Sequence, residues 1–460
     1  MGTNKTYTKE EVTEIAKSVL GKTFGEINSY QTKIDEYNKG QFGHILEEDV
    51  YMYNANSKQA PDFEEAGIEL KVTPYKINKN GTLSAKERLV ITMINYLKDY
   101  KYDFYKSHVY EKSKCMQIIW YLYEANKKHC DLKITDELLF TYPEEDLPII
   151  IEDYEKIIQK IKEGKAHEIS EADTLYLGAC CKGANSKSLR TQPFSDEMAM
   201  QRAFCLKTSY MTQLVREHIG KEKAEKICLT LPKKVTFEEE LENRLSKYKG
   251  VKVSELCKMF NISTNPKNIN ELVLSRMLGI KGKVAETDEF LKANIVPKTI
   301  RVNEKGKIVE SMSFPTFEFE KIVKEKWIES DLYNLFYTTK FMFVVFVEKN
   351  GEYYFDRIKF WNMPMSILEI EIKEVWEQTR EVIKSGNIVK EIMPNGNRKT
   401  NFPGMSNNKY CHVRPHAQDR NDTYPLSVKD KVTGLKEYAK HCFWLNNSYV
   451  LDIINGKNMK

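Results

Sequence analysis

Three residues have the types and spacing of a hydrolytic site. Asp62 follows Pro61, and seven positions on come Glu69, Leu70 and Lys71. Residues 68–77 alternate in polarity: Ile68, Leu70 and Val72 point one way, and Glu69, Lys71 and Thr73 the other. Residues two apart on a strand share a face, so Glu69 and Lys71 project together. Asp62, in the turn entering the strand, can set its carboxylate beside Glu69. Two close carboxylates repel unless a cation lies between them, and an all-oxygen ligand set suits Mg²⁺. A neighbouring lysine can then orient a water against a phosphodiester. The triplet alone is not specific, because Glu163-Gly164-Lys165 and Glu371-Ile372-Lys373 have the same form, although neither has an aspartate seven residues earlier. A solvated Glu/Lys strand face beside a turn aspartate would account for Asp62, Glu69 and Lys71 without chemistry.

The elements that must position these groups are legible nearby. Thr8 and Glu11 form a capping box for a helix with Val12, Ile15, Ala16 and Val19 on one face, and Gly21 can end it. A second helical stretch starts near Gly40, with Phe42, Ile45 and Leu46 packing and Glu47 at its end. Asn80-Gly81 predicts a hairpin turn, with 89–94 as the returning strand. Residues 116–123 read as a further strand and 147–161 as an amphipathic helix. Residues 223–283 are Lys/Glu-rich, with short helices at 253–260 and near 270–278; they predict a helical connector, in which a helix-turn-helix DNA reader is also conceivable.

With 460 residues the chain is long enough for two or three domains. Its 41% apolar and 30% charged content excludes disordered and collagen-like classes. The net charge of +5 is too small to identify a partner by itself. No apolar run is long enough for a membrane span, and the opening MGTNKTYTKEEV lacks a signal-like apolar region. Nine scattered cysteines without a C-x-x-C pair argue against a disulfide framework or zinc ribbon. Together these predict a soluble, reduced, cytoplasmic protein with no membrane partner.

The last third of the chain repeats the first. Residues 298–306 resemble 73–81, the apolar run 341–347 stands where 116–123 stands, Trp376-Glu377 echoes Tyr154-Glu155, and Cys442-Phe443-Trp444-Leu445 matches Ala203-Phe204-Cys205-Leu206. Four landmarks in one order predict two copies of one fold.

Pro61-Asp62 with Glu69-Leu70-Lys71 resembles the PD-(D/E)xK nuclease signature. The flanking residues 39–47 and 66–74 resemble the MutH family, as do Ser107-His108-Val109, Tyr176-Leu177, residues 182–187 and Phe204-Cys205-Leu206-Lys207. That family holds a mismatch-repair nicking enzyme and two-copy restriction endonucleases that cut GATC; the duplication is similar to the latter. The resemblance implies an α/β fold, a mixed sheet flanked by helices, of the restriction-endonuclease type and present as two tandem copies. The implied layout is a catalytic domain over 1–222, a helical connector over 223–283, and a DNA-binding, allosteric domain over 284–460.

Carried over by position, the resemblance puts the metal carboxylates on Asp62 and Glu69, the catalytic lysine on Lys71, an upstream glutamate on Glu47, and a second lysine on Lys112, with Lys114 as rival. The family's DNA-reading Arg-Pro-Lys lands on Cys180-Cys181-Lys182, leaving Lys182 and nearby Arg190 and Lys207 as DNA contacts. Its methylation-sensing tyrosine lands on Cys205. The second copy inverts the pattern: Asn294 and Val296 replace Glu69 and Lys71, while Arg414-Pro415-His416 and Trp444 keep the reading set. Lys399, Lys409, Arg414 and Arg420, with Asn408 among them, make that loop basic. The implied protein is a Mg²⁺-dependent type II restriction endonuclease acting on double-stranded DNA at GATC. Its C-terminal copy binds a second site as effector. A double-strand break would need two chains, transiently paired on DNA, or two visits. A companion methyltransferase is implied. A mismatch-repair-type nickase and a non-cleaving sequence-specific DNA binder are the alternatives.

Overall fold

The computed structural model describes residues 6–28, 34, 40–53, 60–182, 188–232, 234–263, 268–419 and 421–457. The Gly183–Lys187 stretch and Arg420, both used above, lie outside them. Two compact units emerge. The first comprises Met1–Phe237 with Glu286–Asn294, and the second Glu238–Ala285 with Ile295–Lys460. The helices Phe237–Ser246, Val253–Met259 and Ile269–Met277 lie in the expected connector, and residues 238–285 cluster with the second unit.

In the first unit, Glu69–Ile77 (β1), Leu83–Ala85 (β2), Leu89–Met93 (β3), Met116–Leu122 (β4) and Lys133–Phe140 (β5) come first. Leu177–Cys181 (β6), Leu189–Gln192 (β7), Ser195–Met200 (β8) and Arg202–Leu206 (β9) follow. One sheet has the order β2-β1-β4-β5, with β1 and β4 parallel and the outer pairs antiparallel; a second has the order β3-β9-β6. The turn at Asn80-Gly81 forms as expected, with Gly81 at φ 82°, but the returning strand is the short β2. Residues 89–93 instead pair with β9 in the second sheet. The reason is local: β2 begins within two residues of the turn, and a Lys-Glu-Arg stretch (86–88) leads the chain away before the apolar run starts.

The first helix, Lys9–Ser18, has the Thr8/Glu11 capping box and buries Val12 and Ala16. It belongs to a core in which Phe24 and Phe42 stack at 3.9 Å and Tyr121 meets both rings edge-on. The helix Leu147–Lys162 buries Ile150, Tyr154, Ile157 and Ile161. Its Asp153 accepts hydrogen bonds from the N–H groups of Leu175, Tyr176 and Leu177, fixing the entry to β6.

The second unit contains Ile295–Val302 (β10), Met312–Phe317 (β11), Lys340–Lys349 (β12), Glu352–Trp361 (β13), Val389–Ile392 (β14) and Arg398–Thr400 (β15). Cys411–Pro415 (β16), Thr423–Pro425 (β17), Glu437–Ala439 (β18) and His441–Leu445 (β19) complete it. The sheet β10-β12-β13 reproduces β1-β4-β5, including the parallel first pair, and β11-β19-β16 reproduces β3-β9-β6. The turns also agree: Asn78 N–H donates to Thr82 O and Gly81 N–H to Asn78 O, and Asn303, Lys307 and Gly306 repeat both bonds. The duplication read from four sequence landmarks is thus a duplication of topology and of turn geometry. No helix among the described residues is long and apolar enough to cross a membrane.

Candidate active site and reading faces

The site is assembled where two parallel strands begin. A tight turn pairs Phe63 with Ile68 through both backbone hydrogen bonds, with Gly67 at φ 65°, a conformation open to glycine without steric penalty. That turn brings Asp62 back onto β1, where its Oδ2 accepts from the Leu70 N–H at 2.9 Å. From the other strand comes the helix His108–Ser113, capped by Ser107. The Ser107 hydroxyl accepts from Tyr110 N–H and donates to Phe104 O. The helix delivers Lys112 just before β4, whose Met116 is the register partner of Glu69.

Glu69 is 3% exposed and sits at the centre. Its Oε1 accepts from Lys71 Nζ at 2.8 Å and from Lys112 Nζ at 3.2 Å. Lys112 rather than Lys114, which caps the helix, is therefore the lysine brought to Glu69. Its Oε2 is buried with no hydrogen-bond partner. A buried carboxylate oxygen left unpaired is costly and uncommon, so it marks a place for a group that binds there. Burial raises the pKa of Asp62 and the Glu69 charge adds to it; Lys71, the Leu70 N–H and Lys112 pull it back. Glu47 is also raised, chiefly by burial and then by Asp62. It stands in a π-helical turn, Leu46–Val50, an irregularity often found at functional sites.

No cluster of three or more histidine, cysteine or acidic side chains suited to a metal occurs among the described residues. Two carboxylates nonetheless fit Mg²⁺, which keeps waters and shares its ligands with substrate phosphates. The orphaned oxygen of Glu69, a residue whose charge acts on Asp62, meets that requirement.

The later copy of the fold lacks this set. The shared turn places Asn294 and Val296 opposite Glu69 and Lys71. The hydroxyl bonds of Ser107 recur at Ser330, which places Leu335 opposite Lys112.

The β6–β9 and β16–β19 registers decide the reading positions. Leu177 pairs with Leu206 as Cys411 pairs with Leu445, so Cys180, Lys182 and Cys205 correspond to Arg414, His416 and Trp444. In the first unit Cys180 and Cys205 are buried, sharing a small cluster with Ala203. In the second, exposed Arg414 lies 4.7 Å over the Trp444 ring, and His416 meets that ring edge-on at 5.3 Å. Arg414 has no ion pair among the described residues.

Other expected DNA contacts fare differently. Lys182 and Arg190 are exposed. Lys207 is 3% exposed and its ammonium donates to Thr174 O, so it braces the interior and does not face DNA. Asn408 is also buried, bonding Glu371 and the N–H groups of Tyr410 and Cys411, because its amide holds the loop before β16. Lys399 pairs with Glu391 across the β14–β15 hairpin. Gln201, which no motif singles out, accepts from Arg190 Nη2 at 2.7 Å. Its contact crosses a hairpin whose pairing is not readable from residue order.

Comparison with known proteins agrees with this geometry. The family described as "DNA mismatch repair enzyme MutH" matches residues 51–153. The type II restriction enzyme Sau3AI of Staphylococcus aureus is 35% identical, covering 96% of this chain and 97% of that protein. The DNA mismatch repair protein MutH of Vibrio parahaemolyticus is 26% identical over 45% of this chain and 93% of its own length. MutH of Shewanella woodyi is likewise 26% identical, over 46% of this chain.

Proposed function

Because the chain belongs to the MutH-like family, with the type II restriction enzyme Sau3AI as a full-length relative, we propose that it is a sequence-specific restriction endonuclease whose first unit cuts double-stranded DNA and whose second unit binds it without cutting. Asp62 and Glu69 are the proposed ligands of Mg²⁺, which when bound would neutralise charge developing on the phosphate. Lys71 Nζ, tethered to Glu69, holds the attacking water in line with the scissile bond. Lys112 Nζ adds positive charge on the same side, and Glu47 borders the carboxylate pair. The products carry 5′-phosphate and 3′-hydroxyl ends, and GATC is the proposed target.

Reading is divided unequally. Arg414 can contact guanine bidentately in the major groove, a pairing worth about 1–3 kcal/mol of discrimination, with Trp444 and His416 supporting it. Cys180 and Cys205 offer the first unit no cation at the same two positions, so Lys182 and Arg190 supply its contacts. The second unit then serves as an effector site, and chains pair transiently on DNA. A methyltransferase of the same target would protect the host.

The observation that carries this reading is Glu69, with one oxygen on two lysines, the other buried and unpaired, and its charge acting on Asp62. Incubating plasmid with the protein in Mg²⁺ or in EDTA tests it. Glu69→Ala should abolish cutting while leaving DNA binding nearly intact, and retained cutting would refute the metal assignment.

A further inference from the structure

Beside Lys112 the first unit has a cavity of about 450 Å³, lined also by residues 92–97, Arg190, Thr191 and Gln201. Its lining has two cations, amides and hydroxyls beside the apolar Met93, Ile94 and Leu97, and no carboxylate among the described lining residues. A recess so lined attracts an anion, and on double-stranded DNA the available anions are the backbone phosphates. Lys112 also donates to Glu69, so the recess adjoins the hydrolytic group through that side chain.

Arg190 is held for this purpose. Its Nη1 donates to Leu189 O at 2.9 Å and its Nη2 to Gln201 Oε1 at 2.7 Å, leaving three of its five N–H donors available. Gln201 is itself fixed at both backbone ends. Its N–H donates to Ser188 O at 2.9 Å, and its carbonyl accepts from Lys182 N–H at 2.8 Å. Gln201 therefore joins the two flanks of the 183–187 segment and aims a guanidinium from that junction. Fixing a long side chain in advance reduces the rotamer entropy lost on binding.

We infer that this cavity is a subsite for a DNA backbone phosphate next to the scissile one, gripped by Arg190 and Lys112, with Gln201 as the residue that positions Arg190. The inference rests on the endonuclease reading and deepens it. It makes Arg190 a sequence-independent clamp, so base reading in the first unit falls to other groups.

Equilibrium binding by the full chain in EDTA, across a salt series, tests it on a target duplex and an unrelated one. In Arg190→Gln the slope of log affinity against log salt should fall by about 0.9, the amount expected for one phosphate contact. Both duplexes should weaken by the same factor. Gln201→Met should weaken both in the same manner by a smaller factor. Arg190 is exposed, so its replacement leaves the core intact, and the slope reports contacts that a folding defect would not mimic. An unchanged slope in Arg190→Gln, or weakening confined to the target duplex, would overturn the subsite while the nuclease reading stands. A wild-type chain that binds neither duplex would overturn both.

Discussion

Asp62 and Glu47 are half-buried acids near buried Glu69, and the surroundings of those two set a pH dependence. Asp62 and Glu47 both have raised pKa values, from burial first and neighbouring negative charge second. In the window between the unfolded and folded values, the folded chain holds more protons than the unfolded one. Raising pH through that window therefore destabilises the metal-free protein, and below the unfolded values the penalty is absent. A bound cation offsets the repulsion and competes with those protons. Mg²⁺ should thus raise Tm clearly at about pH 8 and hardly at all near about pH 4, where even ordinary carboxyls are half protonated. Differential scanning calorimetry across that range checks it, and a Mg²⁺ effect independent of pH would contradict the carboxylate assignment. Alternation along 68–77 correctly put Glu69 and Lys71 on one face. It did not reveal that this face is covered too, with Glu69 and Thr73 buried as well as Leu70, since cover on a sheet face comes from elements packed on it and not from the strand's own alternation.

At the scale of elements, the serine that caps a short helix is as important as the lysine the helix carries. Ser107 is buried, and its hydroxyl both accepts and donates. Ser107→Ala should destabilise by about 1 kcal/mol, lowering Tm by about 2–4 °C for a domain of this size. It should also slow cleavage, because Lys112 loses its fixed approach to Glu69. Ser330→Ala removes the same cap in the second unit, where Leu335 replaces the lysine, so it should lower Tm similarly without slowing cleavage of a one-site plasmid. Thermal melts and cleavage rates of the two variants separate capping from catalysis. Caps and turns of this kind were readable in advance: the Thr8/Glu11 box and the Asn80-Gly81 turn depend only on neighbouring residues. Strand partners were not, since the run 89–93 has the same apolar character whichever sheet receives it, and it joins β9. The π-helical turn around Glu47 also leaves no mark in hydrophobic spacing.

At the scale of the molecule, the same topology occurs twice with complementary losses. One unit retains Asp62, Glu69, Lys71 and Lys112 but has two buried thiols where the other has Arg414 and Trp444. The other retains the arginine over its tryptophan, and the later copy of the fold has Asn294, Val296 and Leu335 at the positions of Glu69, Lys71 and Lys112. Local sequence order exposed this duplication because turns and strand ends survive divergence, while the exact correspondence of Cys180 with Arg414 needed the strand register. On the proposed function, a unit that keeps only the proposed reading groups would influence cutting only through the DNA it holds or the partner that DNA recruits. A second target on the same plasmid raises the local concentration of that second contact without adding any new interaction. Two-site plasmids should therefore be cut faster than one-site plasmids of equal length, and Arg414→Ala should bring the two-site rate down to the one-site rate. A short duplex carrying the target, added in trans, should accelerate the one-site plasmid in the wild type and have no effect in Arg414→Ala. Equal wild-type rates on both plasmids would leave the second unit as a DNA anchor with no effector role.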